Sequence, residues 1–189
     1  MANPIIRVEN LNFSFGRKAV FKNLNFSMEE GETLCLFGES GIGKSTIVKL
    51  ICGLLKPDGG KIFVGTNNFR VVFQEDRLLP FLTVRENAGM FGTPESSEAL
   101  IEDLGLSDAA DLYPNQLSGG MARRAALARA LAGKGDIYIF DEPFNGMDEE
   151  NIKKSALLIE KYTEGKTVIF VLHDKEEAVK LGCRIIEIS

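Results

Sequence analysis

The stretch of this 189-residue chain best equipped for chemistry is Gly38-Glu39-Ser40-Gly41-Ile42-Gly43-Lys44-Ser45, which fits G-x-x-x-x-G-K-[ST] at every fixed position. Its residue types suit one task, the cradling of a phosphate chain. Gly38, Gly41 and Gly43 let the backbone curl around Ser40 until several N–H groups aim at one anion. The apolar run Thr33-Leu34-Cys35-Leu36-Phe37 precedes the loop, and a helical pattern from Lys44 to about Leu54 follows it. The N-terminus of such a helix adds partial positive charge where a phosphate would lie. Lys44 is placed to reach the β- and γ-phosphates of a nucleoside triphosphate, Ser45 to give its hydroxyl to Mg2+, and Thr46 to donate to the α-phosphate. A glycine-rich turn with an incidental lysine is the competing reading, and it leaves the strand–loop–helix context unexplained. The pattern names a nucleoside triphosphate without naming the machine that uses it.

A second apolar run, Ile137-Tyr138-Ile139-Phe140, ends in Asp141-Glu142. Ligands of an open parallel sheet gather at the carboxyl ends of its strands. Asp141 is thereby expected beside the phosphate loop, holding Mg2+ through a water, and Glu142 is expected to polarise an attacking water as general base. A helix-capping acid before Pro143 is the alternative for this pair. Further along, Ser118-Gly119-Gly120 opens another helical pattern. Serine is a good N-cap and the glycines expose backbone N–H groups, so this is a second helix end suited to an anion.

The frame that must position these groups reads as alternating strands and helices. Ile5–Val8, Leu11–Phe15 and Val20–Phe26 have strand character, with a turn at Gly16-Arg17-Lys18. Lys61–Val64 and Phe69–Phe73 follow a loop at 56–60. Helices are expected over Thr83–Met90 and Glu95–Leu104, the second capped by a serine near Ser96 and ended by Gly105. Beyond them come a helix over Gly120–Leu131, a buried strand over Asp136–Phe140 and a long helix from Asp148 to about Thr163. A strand over Thr167–Leu172, a short helix over Lys175–Leu181 and a strand over Arg184–Ile188 complete the series. The pattern predicts an α/β fold with a mainly parallel sheet flanked by helices. One domain of residues 1–189 is expected, with residues 75–117 inserted as a helical subdomain between core segments 1–74 and 118–189.

Composition removes several classes of function. A net charge of −5 gives no reason to expect a nucleic-acid partner. Cys35, Cys52 and Cys183 have neither zinc-site nor disulfide spacing, which suits a reducing cytoplasm, and Cys35 reads as core filler. No apolar run approaches the roughly 20 residues that span a bilayer, and residues 1–10 lack a signal-peptide stretch.

Leu117-Ser118-Gly119-Gly120-Met121, followed by Arg124 and Ala128-Arg129-Ala130-Leu131 and standing directly before the acidic strand, resembles the signature segment of the ABC ATPases. The resemblance extends over essentially the whole chain. It implies a P-loop fold of the ABC type with an N-terminal antiparallel β subdomain, ATP as ligand and Mg2+ as cofactor. It implies a second ATPase subunit, identical or paralogous, with Ser118, Gly119 and Gly120 of one copy closing over ATP held by Lys44 of the other. Gln74 then matches the glutamine that touches Mg2+ or the attacking water, and His173, the chain's only histidine, matches the switch that contacts the γ-phosphate. Phe15 stands where the family stacks an aromatic ring on adenine, a task that needs no hydroxyl. Taken alone, these three also read as a surface glutamine, a structural histidine and a core aromatic.

Met121 replaces the family's usual glutamine, and Asn145 in Phe144-Asn145-Gly146-Met147-Asp148 replaces a serine, which bears on communication between two sites. The chain ends at Ser189, so no C-terminal regulatory domain is expected. The implied machine is an ATPase subunit of a transporter, cytoplasmic and peripheral on the inner face of the membrane. It would dock on a transmembrane permease through residues near 75–90 and serve an extracytoplasmic substrate-binding protein indirectly. Arg77-Leu78-Leu79-Pro80-Phe81-Leu82-Thr83-Val84 has the apolar content for such a dock, or for the insertion's own core. The stretches Phe73–Pro80 and Thr83–Asn87 are most similar to the ATPases of nitrate, sulfonate and taurine importers. A soluble ABC protein without a permease and a non-hydrolysing regulator are the alternatives; the first lacks its usual coiled coil or duplicated domain here, and Lys44, Asp141 and Glu142 stand against the second.

Overall fold

The computed structural model describes residues 4–188. Two sheets share the work. The first is antiparallel and three-stranded: β1 (Ile6–Phe15), β2 (Lys18–Met28) and β4 (Gly59–Val64), in the order β2-β1-β4. The second holds β3 (Thr33–Phe37), β5 (Phe69–Val72), β6 (Ile137–Asp141), β7 (Thr167–Leu172) and β8 (Arg184–Glu187), in the order β5-β6-β7-β3-β8. All four pairings in it are parallel. Helices α1 (Lys44–Ile51), α2 (Val84–Ala88), α3 (Pro94–Asp103), α4 (Gly119–Ala132), α5 (Glu149–Tyr162) and α6 (Lys175–Lys180) fill the connections.

Strand β1 corrects the reading of two separate strands at its start. Asn10 adopts φ +49, and the pairing with β2 shifts between Val8 and Leu11, so a bulge interrupts one continuous strand. Asparagine tolerates this left-handed conformation better than most residues. The hairpin turn is also tighter than expected: Phe15 pairs with Lys18, leaving only Gly16 and Arg17 as the loop, with Gly16 at φ +58. Helix α3 begins one residue before the expected Glu95, and its cap is Thr93, whose hydroxyl accepts from the Ser96 backbone. Ser96 is the third helical residue of the reciprocal capping box, because Pro94 at the first turn moves the start upstream.

The inner strands β3, β6 and β7 of the parallel sheet are buried on both faces, as their largely apolar sequences demand, while the edge strands β5 and β8 are only partly covered. On one face, Leu34, Leu36, Ile139, Ile169 and Val171 pack against Ile47, Val48 and Ile51 of α1 and against the inner face of the antiparallel sheet. On the other, Cys35, Tyr138, Phe140 and Phe170 meet α4 and Ile159 of α5. Phe140 is fully buried and stacks between Tyr138 at 6.3 Å and Phe170 at 5.3 Å. Among the described residues, no helix is long and apolar enough to cross a membrane.

Phe140 is the largest fully buried side chain among the described residues. Phe140→Ala is expected to lower unfolding free energy by about 3–5 kcal/mol through lost burial and a residual cavity. Urea denaturation followed by circular dichroism would measure it.

Candidate active site

The parallel register decides where chemistry can occur. Phe37 of β3 pairs with Leu172 of β7, and Asp141 of β6 pairs with Val171. Val72 of β5 pairs with Phe140. The strands therefore end level, and Gly38, Gln74, Glu142 and His173 all leave the sheet at one edge.

Gly38 turns the chain out of β3 with no space for a side chain, because a Cβ there would lie 2.6 Å from the Ile188 carbonyl oxygen. Gly43, at φ +115, stands immediately before α1, and a Cβ on it would meet Val20 at 2.5 Å and Phe21 at 2.6 Å. The glycine thus lets the β1–β2 hairpin close onto the loop. Lys44 is only 5% exposed, and its ammonium donates to the carbonyl oxygens of Gly38 at 2.7 Å and Glu39 at 2.9 Å. Those bonds bend the loop around the cation. No carboxylate pairs with Lys44 among the described residues, so the site holds a buried positive charge with no anion. Gly41 and Ser40 form the exposed crest of the loop, and Thr46 follows in the first turn of α1.

Asp141 ends β6 almost fully buried, and its Oδ1 has no hydrogen-bond partner. Burial pushes its carboxyl above the ordinary carboxylate range; the Ser45 hydroxyl beside it opposes the shift and the adjacent Glu142 adds to it. A buried carboxylate oxygen without a donor and a buried ammonium without an anion, each at the same end of the sheet, together suit a cation bound to an anion. Mg2+ with the phosphate oxygens of a nucleotide has that character, and it suits a site of oxygen donors completed by water. The residues fit the ion. The described residues contain no cluster of three His, Cys, Asp or Glu side chains able to hold a metal alone, so phosphate and water must supply the rest.

Glu142 adopts φ +49, an unusual conformation for a side chain of its size. Its backbone N–H still donates to the Val171 carbonyl at 3.0 Å, so the chain is held to β7 while it swings out of the strand. The turn brings the carboxylate within 3.4 Å of Gln74 Nε2, which donates to Oε2. Gln74, Asp141 and Glu142 are thus gathered from two strand ends. His173 lies exposed just past β7, and it and Glu177 interact electrostatically. Phe15 is 55% exposed and rests edge-on against Phe13 at 4.9 Å, so it is a presented ring and not a core aromatic.

Ser118, Gly119 and Gly120 form a second, separate surface. Ser118 caps α4, its hydroxyl accepting from Met121 N–H at 3.3 Å. Gly120 lies so close to Gly146 that a Cβ would stand 3.0 Å from its carbonyl oxygen. Among the described residues, no hydrogen bond joins 118–120 to the loop at 38–46. Arg123, which the sequence reading passes over, and Arg129, which it takes only as part of the signature segment, are buried on α4 and bond to carbonyls of 73–77. Two arginines inside an alanine- and leucine-rich helix were the signal available for them.

This arrangement defines the class: a nucleotide-binding domain of the P-loop type. Comparison with known proteins narrows the class to a family. A family model described as ABC transporter matches residues 21–145. The chain is 37% identical over 207 residues to an ergothioneine transport ATP-binding protein, EgtV, of Helicobacter pylori, covering 98% of this chain and 97% of that protein. It is 38% identical over 197 residues to an aliphatic sulfonates import ATP-binding protein, SsuB 3, of Pseudomonas syringae, covering 97% of this chain and 73% of that protein. Among solved structures, a dimeric bacterial ABC transporter cassette, MJ0796, superposes with a TM-score of 0.84 at 30% identity, over 97% of this chain and 94% of that one. The same cassette bound to ADP and Pi in a post-hydrolysis state gives a TM-score of 0.86. The chain belongs to the ABC transporter family as an ATP-binding, ATP-hydrolysing subunit.

The burial of Asp141 has a measurable cost. A carboxylate whose pKa is raised by folding destabilises the native state as pH rises from the unfolded value through the folded one. Asp141→Asn removes that penalty. In metal-free, nucleotide-free protein the variant is expected to melt above wild type at neutral pH, with the difference vanishing below pH 4 or so, where the carboxyl is protonated in both states. Thermal denaturation across pH would check this, and the same variant should lose ATP hydrolysis.

Proposed function

We propose that this chain is the motor subunit of an importer and that it hydrolyses ATP as a head-to-tail pair. The observation that carries the assignment of its site is that two strand ends aligned by the parallel register carry a buried Lys44 ammonium with no carboxylate partner and a buried Asp141 Oδ1 with no hydrogen-bond partner. Lys44 and the N–H groups of 38–46 would hold the β- and γ-phosphates, Thr46 the α-phosphate, and Phe15 the adenine ring. Ser45, Asp141 and Gln74 would hold Mg2+. When bound there, the ion neutralises charge that develops on the phosphate oxygens. Glu142 would take a proton from the attacking water, oriented by the contact with Gln74. His173 would donate to the γ-phosphate as negative charge grows on it.

Ser118–Gly120 stand apart from the chain's own phosphate loop, which supports a role on the ATP of a second copy. With the γ-phosphate bridging two subunits, its hydrolysis would release them, and the opening would move a membrane partner. The partner surface is proposed on the helical subdomain at 75–117, near 75–90, where Phe81 is 70% exposed. The relative named for sulfonate import supports the direction of transport. Attachment through a permease would hold the chain at the inner face of the membrane, and an extracytoplasmic binding protein would choose the substrate.

Glu142→Gln tests the assignment. The variant is expected to bind ATP as wild type does, to lose about 10²–10⁴-fold in turnover, and to accumulate as an ATP-bound dimer on size exclusion. Wild-type activity should rise more than proportionally with protein concentration. Full activity of the variant, or turnover strictly linear in a protein that never dimerises, would reject this site or this machine.

A further inference from the structure

The segment that follows β5 has no strand partner, so its backbone carbonyls must find donors elsewhere. They find them on α4. Arg123, 4% exposed, donates from one guanidinium nitrogen to the Phe73 carbonyl at 2.6 Å and from the other to the Gln74 carbonyl at 2.5 Å. The same side chain lies 3.1 Å from an Asp76 carboxylate oxygen. Six residues on, Arg129 donates to the carbonyls of Arg77 at 2.8 Å and Asp76 at 3.1 Å. The segment is braced from within as well, since the Arg77 guanidinium covers the Phe73 ring at 4.3 Å. A planar guanidinium fixes two acceptors at once with a geometry that lysine cannot reproduce. Burial raises the Asp76 carboxyl and lowers Arg129, while each of these charges partly relieves the other.

Arg123 stands five residues beyond Ser118 on the same helix, about 7–8 Å along its axis. A displacement of the helix start is therefore carried rigidly to the Gln74 backbone, and the Gln74 side chain touches Glu142. We infer that Arg123 is a positioning residue for hydrolysis, one that ties the placement of Gln74, and through it of Glu142, to the helix that begins at Ser118. The inference rests on the proposed roles of Gln74 and Glu142. It adds a physical link by which an event at the N-terminus of α4 reaches the chain's own water-activating group.

A double-mutant cycle separates this role from a structural one. Arg123→Gln is expected to lower kcat for ATP about ten- to hundredfold, as small misplacements of catalytic groups do, with KM within about twofold of wild type. Gln74→Ala should lower kcat as well, and adding Arg123→Gln to it should change kcat less than about twofold, because coupled residues are not additive. Hydrogen exchange gives a readout that needs no turnover: amides of 74–77 should exchange faster in Arg123→Gln while those of α4 keep their protection. If Arg123→Gln fails to fold, Arg123→Lys enters the same cycle, since it keeps the charge beside Asp76 but cannot bridge both carbonyls. Multiplying kcat losses, parallel collapse of kcat, ATP binding and melting temperature, or unchanged exchange at 74–77 would each overturn the inference. Failure of the broader reading is separately visible, because a fully active Glu142→Gln removes the role of Glu142 while the exchange result still reports whether Arg123 holds the segment.

Discussion

The active site depends on the level ending of parallel strands. Phe37 beside Leu172, and Asp141 beside Val171, bring loops distant in sequence to one edge of the sheet. That register is maintained by backbone hydrogen bonds and by the requirement that the inner strands β6, β7 and β3 bury both faces. A slip of one residue in β6 would exchange the faces of Ile139 and Phe140, moving a phenylalanine into the layer over α1. It would also draw Asp141 away from Ser45. Packing specificity and chemical alignment are therefore the same constraint.

The hairpin adds a second condition. The antiparallel sheet reaches the phosphate loop through Val20 and Phe21, and it does so over Gly43, where no side chain intervenes. The glycine therefore belongs to the phosphate loop while its bare Cα faces the hairpin. Phe15, at the turn of the same hairpin, is braced by Phe13, the strand partner of Phe21.

Much of this was readable in the residues. The phosphate loop between an apolar strand and a helix, the acids ending Ile137–Phe140 and the Ser118 cap each follow from local chemistry, and the structure places each in the predicted element. What escaped depended on distant partners or on conformation. The single bulged β1 required knowledge of its pairing with β2, which the pattern of Ile5–Phe15 does not contain. The Thr93 cap was displaced from Ser96 because Pro94 starts the helix early. The left-handed Glu142 and the carbonyl bonds of Arg123 and Arg129 were invisible for a related reason. A glutamate gives no local sign of positive φ, and a buried arginine has meaning only when the carbonyls it satisfies are known.

The order of the sheet also bears on how the molecule is made. Strands β1, β2 and β4 find one another within the first third of the chain, so the antiparallel sheet can close early in synthesis. Strand β3 lies in the same third, yet Thr33 meets Val168 and Leu34 meets Arg184. The strand that carries the phosphate loop therefore waits, apolar on both faces and without neighbours, until the last strands leave the ribosome. Nucleotide has no finished loop to template during that interval, and the nascent chain must be shielded from aggregation by chaperones or by speed. The interior position of β3 between β7 and β8, which shelters it in the finished protein, leaves it without a strand partner in the growing one.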